Sequence, residues 1–405
     1  MNVEYFIARK LFTANKNNNS YTRPIISIGI LAVSLSVAMM LIALMVLSGF
    51  KEDISSKIIG FGSHITITKF SDNQSYESEP VSVFQDFSHI NNDEIKHMNV
   101  FATKAAIIKT VDEIQGVVLK GVSSDYDFTF FNENLVAGEG LGLNDSIVSN
   151  DILISEEVAN LLQLDLDDNL VMYFIQKPSR ARKFIIKGIY NTSMIDFDKL
   201  YVVADIKHIQ NLNSWGEEQV GGFEIVINDF DNIEQITDGI YEKIPYDLDA
   251  KSIKDNYPQI FDWLNLQDIN VRVILMLMFI VAAINMISTL LILIIDRISL
   301  IGMLKAIGAT NWSIRRIFLY SSTQLLVKGL LAGNLLAFVF AFIQSKFSII
   351  SLDPDTYYMK TVPINIEISQ ILLVNFGTII LCYLVLIVPS MIIAKITPVK
   401  AIRFE

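Results

Sequence analysis

The chain is poor in the residues that carry covalent and metal chemistry. Among its 405 residues there are one cysteine, Cys382, and four histidines. A lone cysteine excludes an intramolecular disulfide, so a large domain must be held together without cross-links. His64 has no second ligand at a useful spacing, and we expect no metal site.

Motifs for nucleotide chemistry and for hydrolysis are also missing. The sequence contains no G-x-x-x-x-G-K-S/T loop, no G-x-S-x-G elbow and no H-E-x-x-H pair. Their absence argues against a fused ATPase and against two common hydrolase designs. Acidic neighbours such as Asp112 with Glu113 are typical of a solvated surface. We therefore expect no catalytic residue and no cofactor on this chain.

Long apolar stretches, in contrast, are abundant. Hydrophobic residues make up 52% of the chain, and the mean hydropathy is +0.43. The runs 25–47, 273–295 and 371–394 carry no charge, and the run 317–343 carries only Lys328. Each is long enough to cross about 30 Å of hydrocarbon as a helix. The first run is too long for the core of a cleaved signal peptide and is expected to remain as an anchor.

The distribution of charge orients these spans. Segments 1–24 and 296–316 each hold four Lys/Arg and one acid, and segment 395–405 holds three Lys/Arg and one acid. Segment 49–270 holds 17 Lys/Arg and 37 Asp/Glu. The positive-inside rule places the three basic segments in the cytoplasm and the acidic one outside. The net charge of −11 thus averages two faces and does not indicate nucleic-acid binding.

The predicted fold is a membrane protein with four transmembrane α-helices and a large α+β extracytoplasmic domain between helices one and two. The expected segments are a cytoplasmic N-terminus (1–24), span one (25–48), the outer domain with its stalks (49–270), span two (271–295), a cytoplasmic helix (296–316), span three (317–343), a short outer loop (344–368), span four (369–394) and a cytoplasmic C-terminus (395–405).

The outer domain has patterns of both strand and helix, and its size is compatible with two subdomains. Residues 116–122 read as a strand, and Ser155 as the N-cap of a helix. Residues 171–190 read as a β-hairpin with a basic tip. Helical spacing also continues beyond the membrane at about 48–58 and 255–272, which predicts two helical stalks.

Two cytoplasmic segments have helical spacing. Residues 3–11 predict an interfacial helix, with an ordinary basic tail as the alternative. Between spans two and three, Leu300, Met303, Leu304 and Ile307 share one helical face. Gly308 is well placed to stop this helix, and Thr310 or Asn311 to cap the next. The short helix is either a connector on lipid headgroups or a coupling helix docked into a cytoplasmic motor.

Span three has two unusual features. Lys328 lies near its middle, where a lysine is unfavourable by roughly 2.5–3.5 kcal/mol. It either faces a subunit interface or a wet cavity, or is tolerated beside polar neighbours such as Gln324. Gly329 and Gly333 form a small-xxx-small pair, which predicts close helix packing, as in a dimer.

The stretch NMISTLLILIIDRISLIGMLKAIGATNWSIRRIF (285–318) resembles the core motif of the FtsX-like (MacB-type) ABC transporter permease family. The final PVKAIRFE (398–405) resembles the C-terminal signature of that family. YFIARKLF, SGFKEDISSKIIGFGSHITI, GVVLKGVSSDYDF and VGGFEIVINDFDNI are similar to the lipoprotein-releasing permeases of the Lol C/E type.

This resemblance implies a permease subunit in the inner (cytoplasmic) membrane, with both termini cytoplasmic and the large domain periplasmic. It implies a second permease subunit and a separate ABC ATPase subunit that holds ATP and Mg. Together they would extract lipoprotein cargo from the outer leaflet for delivery to the outer membrane. Membrane lipids and a periplasmic lipoprotein carrier are the other implied partners.

The resemblance also directs attention to specific residues. For ATPase coupling these are Arg297, Ile298, Ile301, Leu304, Lys305, Ile307 and Gly308. For lipoprotein or lipid contact they are Met40, Leu44, Leu47, Phe50, Met276 and Ile280. For carrier docking they are Lys177, Pro178, Ser179 and Arg180, although this hairpin tip is shorter than the hook of the family. We expect Leu304→Asp to abolish transport without unfolding the protein.

Two other functions stay open. An FtsX- or MacB-like permease for efflux, or for mechanotransmission to a periplasmic partner, would share the core motif. A membrane-anchored sensor or scaffold would bind a ligand outside without transport. No constellation of residues supports an enzyme.

Overall fold

The computed structural model describes residues 3–13, 22–71, 76–84, 94–110, 113–391 and 393. The chain divides into two compact units. The membrane unit comprises Met1–Lys51, Leu264–Ile350 and Val362–Glu405, and the sheet unit comprises Glu52–Trp263 and Ser351–Thr361. The predicted C-terminal segment 395–405 lies outside the described residues.

The helices differ greatly in length, from single turns to about 40 residues. They are α1 (Val3–Thr13), α2 (Thr22–Gly62), α3 (Thr129–Glu133), α4 (Glu156–Leu162), α5 (Ile195–Asp198), α6 (Lys207–Asn213), α7 (Ile233–Tyr241), α8 (Ile253–Asn256), α9 (Pro258–Asp296), α10 (Ile298–Ala306), α11 (Asn311–Phe347), α12 (Pro354–Tyr357) and α13 (Ile368–Ser390).

The strands all belong to the sheet unit. They are β1 (Ile65–Lys69), β2 (Val81–Ser82), β3 (Ile95–Lys109), β4 (Ile114–Val122), β5 (Leu135–Gly138), β6 (Asp151–Ser155), β7 (Asn169–Phe174), β8 (Arg180–Tyr190), β9 (Tyr201–Asp205), β10 (Gln219–Val220), β11 (Gly222–Ile227) and β12 (Leu248–Ser252).

Four of the described helices are long and apolar enough to cross a membrane, namely α2, α9, α11 and α13. With the α+β sheet unit between the first two, they confirm the predicted fold class. Helix α2 continues to Gly62, and Ser63 follows in a left-handed conformation (φ 56°) that ends it. Helix α9 begins at Pro258, a residue favoured at a helix start. Both predicted stalks are therefore continuous with their spans.

The membrane unit is held together by apolar side chains from its long helices. Val37 of α2, Met286 of α9, Phe318 of α11 and Cys382 of α13 are all essentially buried in one cluster. Burial of this kind contributes roughly 1.5–3 kcal/mol per large side chain in water, but inside a bilayer close contact and interhelical hydrogen bonds take over that role.

The sheet unit is built on one ten-stranded mixed sheet. The strand order is β12-β1-β11-β3-β4-β9-β6-β8-β5, and β7 pairs with both β3 and β8. The β4–β9 and β6–β8 pairs are parallel, while β7 and β8 form the predicted antiparallel hairpin. Because the long strands β3 and β8 each pair with three neighbours, ten strands join in one sheet, and β2 and β10 form a separate two-stranded sheet. The expectation of two subdomains is wrong.

Local signals in this unit are confirmed. Ser155 caps α4, and its hydroxyl accepts a hydrogen bond from Val158 N (3.0 Å). The run 116–122 lies in β4, in the middle of the sheet order. Its last six residues are all buried, because both faces of this central strand are covered.

Candidate coupling and cargo-contact sites

Helix α10, between spans two and three, is short and is followed by a glycine that ends it. It ends at Ala306, and Gly308 follows at φ +93°, where a side chain would be strained. Thr310 then accepts a hydrogen bond from Ser313 N (3.2 Å) and caps α11. The predicted stop is confirmed, and Thr310 is the cap of the two proposed.

Helix α10 has one buried and one exposed face. Ile301 is fully buried in the apolar cluster of the membrane unit, and Leu304 packs against that cluster. Met303, Ile307 and the nearby Trp312 of α11 are 61%, 76% and 56% exposed. We call these three residues the α10–α11 apolar patch. Since Leu304 faces inward, Leu304→Asp would disturb packing, and Ile307 is the cleaner position for a test of coupling.

The polar residues predicted for coupling are engaged within the chain. Lys305 Nζ donates a hydrogen bond to the backbone oxygen of Ile393 (2.8 Å), and Arg297 Nε lies 3.4 Å from Asp296 Oδ2. Arg297, Ile298 and Lys305 are half-buried, whereas Ile307 and Gly308 are exposed. The predicted set therefore contains both residues that position α10 and residues that a partner could reach.

Helix α1 packs on the first turns of α11. Ser313 Oγ donates to Glu4 Oε1 (2.8 Å), Arg316 Nη1 lies 3.8 Å from the same oxygen, and the rings of Tyr5 and Tyr320 meet edge-on at 5.9 Å. Val3 is 67% exposed. The predicted helix over residues 3–11 is confirmed as a helix, its location at the membrane interface stays a prediction, and it packs against the helix that carries Trp312. The sequence alone gave no sign of this attachment.

The residues predicted to contact lipid or lipoprotein fall on different faces. Met276 and Ile280 are 65% and 49% exposed on α9. Leu44, Leu47 and Phe50 of α2 are half-buried. Met40 is fully buried in the apolar cluster, so it cannot line a cavity wall and its assignment is corrected.

The exposed stripe of span one lies elsewhere on α2. Ile28, Leu31, Leu35 and Met39 are 65%, 67%, 56% and 44% exposed. Their spacing of three and four residues is that of one helical face. Sequence reasoning missed this stripe, because a helix that is apolar all round shows no polar face to orient it.

The two glycines of span three pack inside this chain. A Cβ on Gly329 would lie 2.7 Å from Val33 Cγ1, and a Cβ on Gly333 would lie 2.7 Å from the backbone oxygen of Ser34. Helix α11 therefore crosses α2 at a distance that only glycine permits. This contact accounts for the small-xxx-small pair without a dimer.

Two further polar features belong to the membrane unit. Asn334 of α11 and Asn375 of α13 exchange two carboxamide hydrogen bonds of 2.7 and 3.0 Å, which sequence reasoning did not single out. Lys328 is exposed on α11, on the same face as Leu331 and Leu335. Its location at a subunit interface or a wet cavity stays a prediction.

The hairpin tip is partly tied down. Arg180 Nη1 donates to the backbone oxygens of Asn211 (3.2 Å) and Leu212 (3.0 Å) at the end of α6. Lys177, Pro178 and Ser179 are exposed. Arg180 therefore positions the tip, and the other three residues form its accessible surface.

Comparisons with known proteins agree with this architecture. Residues 272–398 match the family model "FtsX-like permease C-terminal". The lipoprotein-releasing system transmembrane protein LolC of Xylella fastidiosa (strain Temecula1) is 20% identical over 414 residues, covering 96% of each chain. LolE of Haemophilus influenzae is 20% identical over 422 residues, covering 99% of each chain.

A solved structure is similar in part. The periplasmic region of MacB from Actinobacillus actinomycetemcomitans has 15% sequence identity and a TM-score of 0.33, and the match covers 51% of this chain and 95% of the MacB chain. That likeness is too distant to add a structural argument. The family match and the two near-full-length similarities confirm the resemblance carried by the motifs: residues 272–398 match the FtsX-like permease model, and the chain is similar over nearly its whole length to lipoprotein-releasing transmembrane proteins.

Proposed function

We propose that this chain is the permease subunit of an ATP-driven transporter that extracts lipoproteins from the outer leaflet of the inner membrane for delivery to the outer membrane. The observation that carries the proposal is the extent of the similarity to lipoprotein-releasing proteins. It covers 96% or more of the chain and therefore includes the sheet unit as well as the FtsX-like segment.

The α10–α11 apolar patch supports a separate motor. Large apolar side chains exposed on the short helix α10 and at the start of α11 fit a protein partner better than water. Arg316 lies over the Trp312 ring (5.4 Å) and adds a charge at the edge of the patch. A separate ABC ATPase would dock here and hold ATP and Mg, while this chain converts its movement into movement of α9 and α11.

Energetics explain why a motor is needed. Removing one acyl chain of about 16 carbons from the bilayer costs on the order of 12 kcal/mol, at about 0.8 kcal/mol per CH₂. A lipoprotein with two or three chains therefore does not leave spontaneously. The exposed stripe of α2, together with Met276 and Ile280 of α9, is the apolar surface that such chains would follow.

The remaining partners are part of the same proposal. A second permease subunit would complete the cavity, as a homodimer or heterodimer. A periplasmic carrier would receive the cargo, with the exposed hairpin tip (Lys177, Pro178 and Ser179) as its docking point. The basic cytoplasmic segments support cytoplasmic termini and a periplasmic sheet unit.

The coupling site is tested with Ile307→Asp. The variant places a charge in the α10–α11 apolar patch without touching the buried face of α10. We expect normal membrane insertion, at least tenfold weaker co-purification of the ATPase, and loss of lipoprotein release. Ile114→Asp is the matched control, since Ile114 is 62% exposed on β4 and should tolerate the change. ATPase binding and release at wild-type levels in Ile307→Asp would contradict the docking assignment.

The cargo is tested by depletion of the protein. Mass spectrometry of acylated proteins in separated membranes should then show lipoproteins accumulating in the inner membrane. An unchanged distribution would refute the cargo assignment and favour efflux or force relay.

A further inference from the structure

The outer end of α2 is inserted into the sheet unit. Phe61, next to last in this helix, is 3% exposed. Five aromatic rings surround it with centroid distances between 5.1 and 6.2 Å, those of Phe130, Phe131, Tyr190, Phe197 and Tyr201. A Cβ on the preceding Gly60 would overlap the Phe130 ring. The helix end is therefore closely enclosed.

A buried ammonium group binds the same helix end. Lys120 of β4 donates one hydrogen bond to the backbone oxygen of Phe61 and another to Glu224 Oε1 of β11 (2.7 Å). Both side chains of this ion pair are 3% exposed. The Lys120 Nζ also lies 5.5 Å from the centre of the Tyr126 ring. One cation thus joins the end of α2 to two strands of the sheet.

The chemistry of a helix end explains why a cation is suited to this position. The last four carbonyls of an α-helix lack donors within the helix, and they carry the negative end of its dipole. Ser63 N supplies a donor to the Ile59 oxygen (2.6 Å), and Lys120 supplies one to Phe61. Among the described residues Glu224 Oε2 has no hydrogen-bond partner, so Lys120 is the charge that allows Glu224 to be buried.

Stability alone does not explain this ion pair. Replacement of a buried ion pair by well-packed apolar residues is often neutral or stabilising, because desolvation offsets the attraction between the charges. What the ion pair adds is a defined orientation of the α2 end. Its hydrogen bonds fix both the position and the rotation of the α2 end, which apolar packing alone does less strictly.

We propose that Lys120, held by Glu224, is a positioning residue that locks the end of α2 to the sheet, so that movement of span one during lipoprotein release turns the sheet unit with it. This inference rests on the proposed function. Helix α2 is continuous from Thr22 to Gly62. A continuous helix can pass a displacement to another element only if its end is firmly attached to that element. Without this lock, ATP hydrolysis continues, but the movement of span one no longer reaches the sheet, because the end of α2 shifts against the sheet instead.

The test replaces the pair by apolar residues, Lys120→Met with Glu224→Leu. The matched control is Lys104→Met with Glu77→Leu. Lys104 of the neighbouring strand β3 also makes a 2.7 Å ion pair, with exposures of 5% and 38%, but its partner Glu77 lies outside α2. Each variant is purified in complex with its ATPase and reconstituted into vesicles that contain a labelled lipoprotein.

We expect the Lys120/Glu224 variant to release lipoprotein at least tenfold more slowly while its ATP hydrolysis stays within twofold of wild type. The control variant should match wild type in both rates. A role limited to stability would lower both rates together, in proportion to the loss of folded protein. Release within twofold of wild type in the Lys120/Glu224 variant overturns the proposal.

A distance measurement separates this inference from the proposed function. Spin labels are placed on Ser56→Cys of α2 and Ile114→Cys of β4, with Cys382→Ala to remove the native thiol. Both sites are exposed. Wild type and control should give one narrow distance distribution, and the Lys120/Glu224 variant a broad one.

An equally narrow distribution in the variant overturns the lock even if the wild type releases lipoprotein. If the wild type releases none, the proposed function fails, and the distances still decide whether the lock exists. Should the apolar variant not fold, Lys120→Gln with Glu224→Gln replaces it. That variant keeps a polar pair but removes the charge and shortens the arm, and unchanged distances there also overturn the proposal.

Discussion

Gly333 provides a quantitative test of how α11 packs on α2. A Cβ at this position would lie 2.7 Å from the Ser34 backbone oxygen and 2.9 Å from Val37 Cβ. Ordinary contacts lie near 3.5–4.0 Å, so the helices must separate by roughly 1 Å at the crossing. Overpacking of this kind costs about 1–3 kcal/mol, while the change from glycine to alanine returns up to about 1 kcal/mol of helix propensity. We expect Gly333→Ala to destabilise the protein by about 1–2 kcal/mol.

The assay is thermal unfolding of the purified protein in detergent, followed by far-UV circular dichroism. A loss of this size corresponds to a Tm lower by on the order of 2–8 °C. Gly377→Ala is the matched control in α13, because its Cβ would lie 3.3 Å from the outer atom of the Phe279 ring, which can move. A Gly333→Ala Tm at or above that of wild type would refute the backbone contact and with it the described helix packing.

Three further changes have defined outcomes. Burial raises the pKa of Asp198 to about 6, although Thr192 donates two hydrogen bonds to its carboxylate. The folded state therefore binds this proton more tightly than the unfolded state does. The resulting stabilisation is complete below pH 3.8, the pKa of the unfolded state, and is lost as the pH rises through 6. This stabilisation amounts to about 3 kcal/mol, so the free energy of unfolding should fall between pH 4 and 6. Asp198→Asn should abolish this fall, whereas an unchanged pH dependence would assign it to another group. The stability costs of Asn334→Leu and Asn375→Leu should together exceed the cost of the double variant by a coupling energy of about 0.6–1.7 kcal/mol. Strict additivity of the two costs in thermal unfolding would argue against the paired carboxamides. Ser155→Ala should cost about 0.5–2 kcal/mol through loss of the cap of α4, measured by urea unfolding, and an unchanged midpoint would show that the cap is dispensable.

Much of the fold follows from signals that are local in the chain. The spans are predictable because an apolar run of 20 or more residues has few alternatives to a transmembrane helix. The stop at Gly308 and the cap at Thr310 depend on the conformational freedom of glycine and on a side-chain oxygen, both visible in a single residue. The β7–β8 hairpin is likewise encoded within 22 residues (169–190), by two strand-like runs around a polar turn.

The features that escaped prediction depend on the third dimension. Met39 and Met40 are chemically identical neighbours, yet one is 44% exposed and the other is buried, because one residue turns a helix by about 100°. In a span without polar residues nothing in the sequence sets that rotation. Trp312 could have been found, since a large aromatic residue directly after a capping Thr–Asn pair is unusual for a turn exposed to water.

The long-range polar contacts could not have been found at all from one sequence. Lys120 and Glu224 are 104 residues apart, and each is an ordinary charged residue in a strand of otherwise apolar neighbours. From the sequence, a charged residue at such a position could equally lie on the solvent-exposed face of an edge strand. Only the sheet order, which places both strands in the interior of the sheet, shows that these charges are buried.

The sheet order has a consequence for the tendency of the protein to aggregate. The outermost strands of an open sheet expose unpaired N–H and C=O groups, and such edges can pair with strands of other chains. In the ten-stranded sheet the two outermost strands are poor templates: β5 has four residues and a register shift beside β8, and β12 has five, with Asp249 and Lys251 3.0 Å apart along it. Neither edge strand is long enough to pair extensively with a second chain, and this protects the domain from aggregation through its sheet edges.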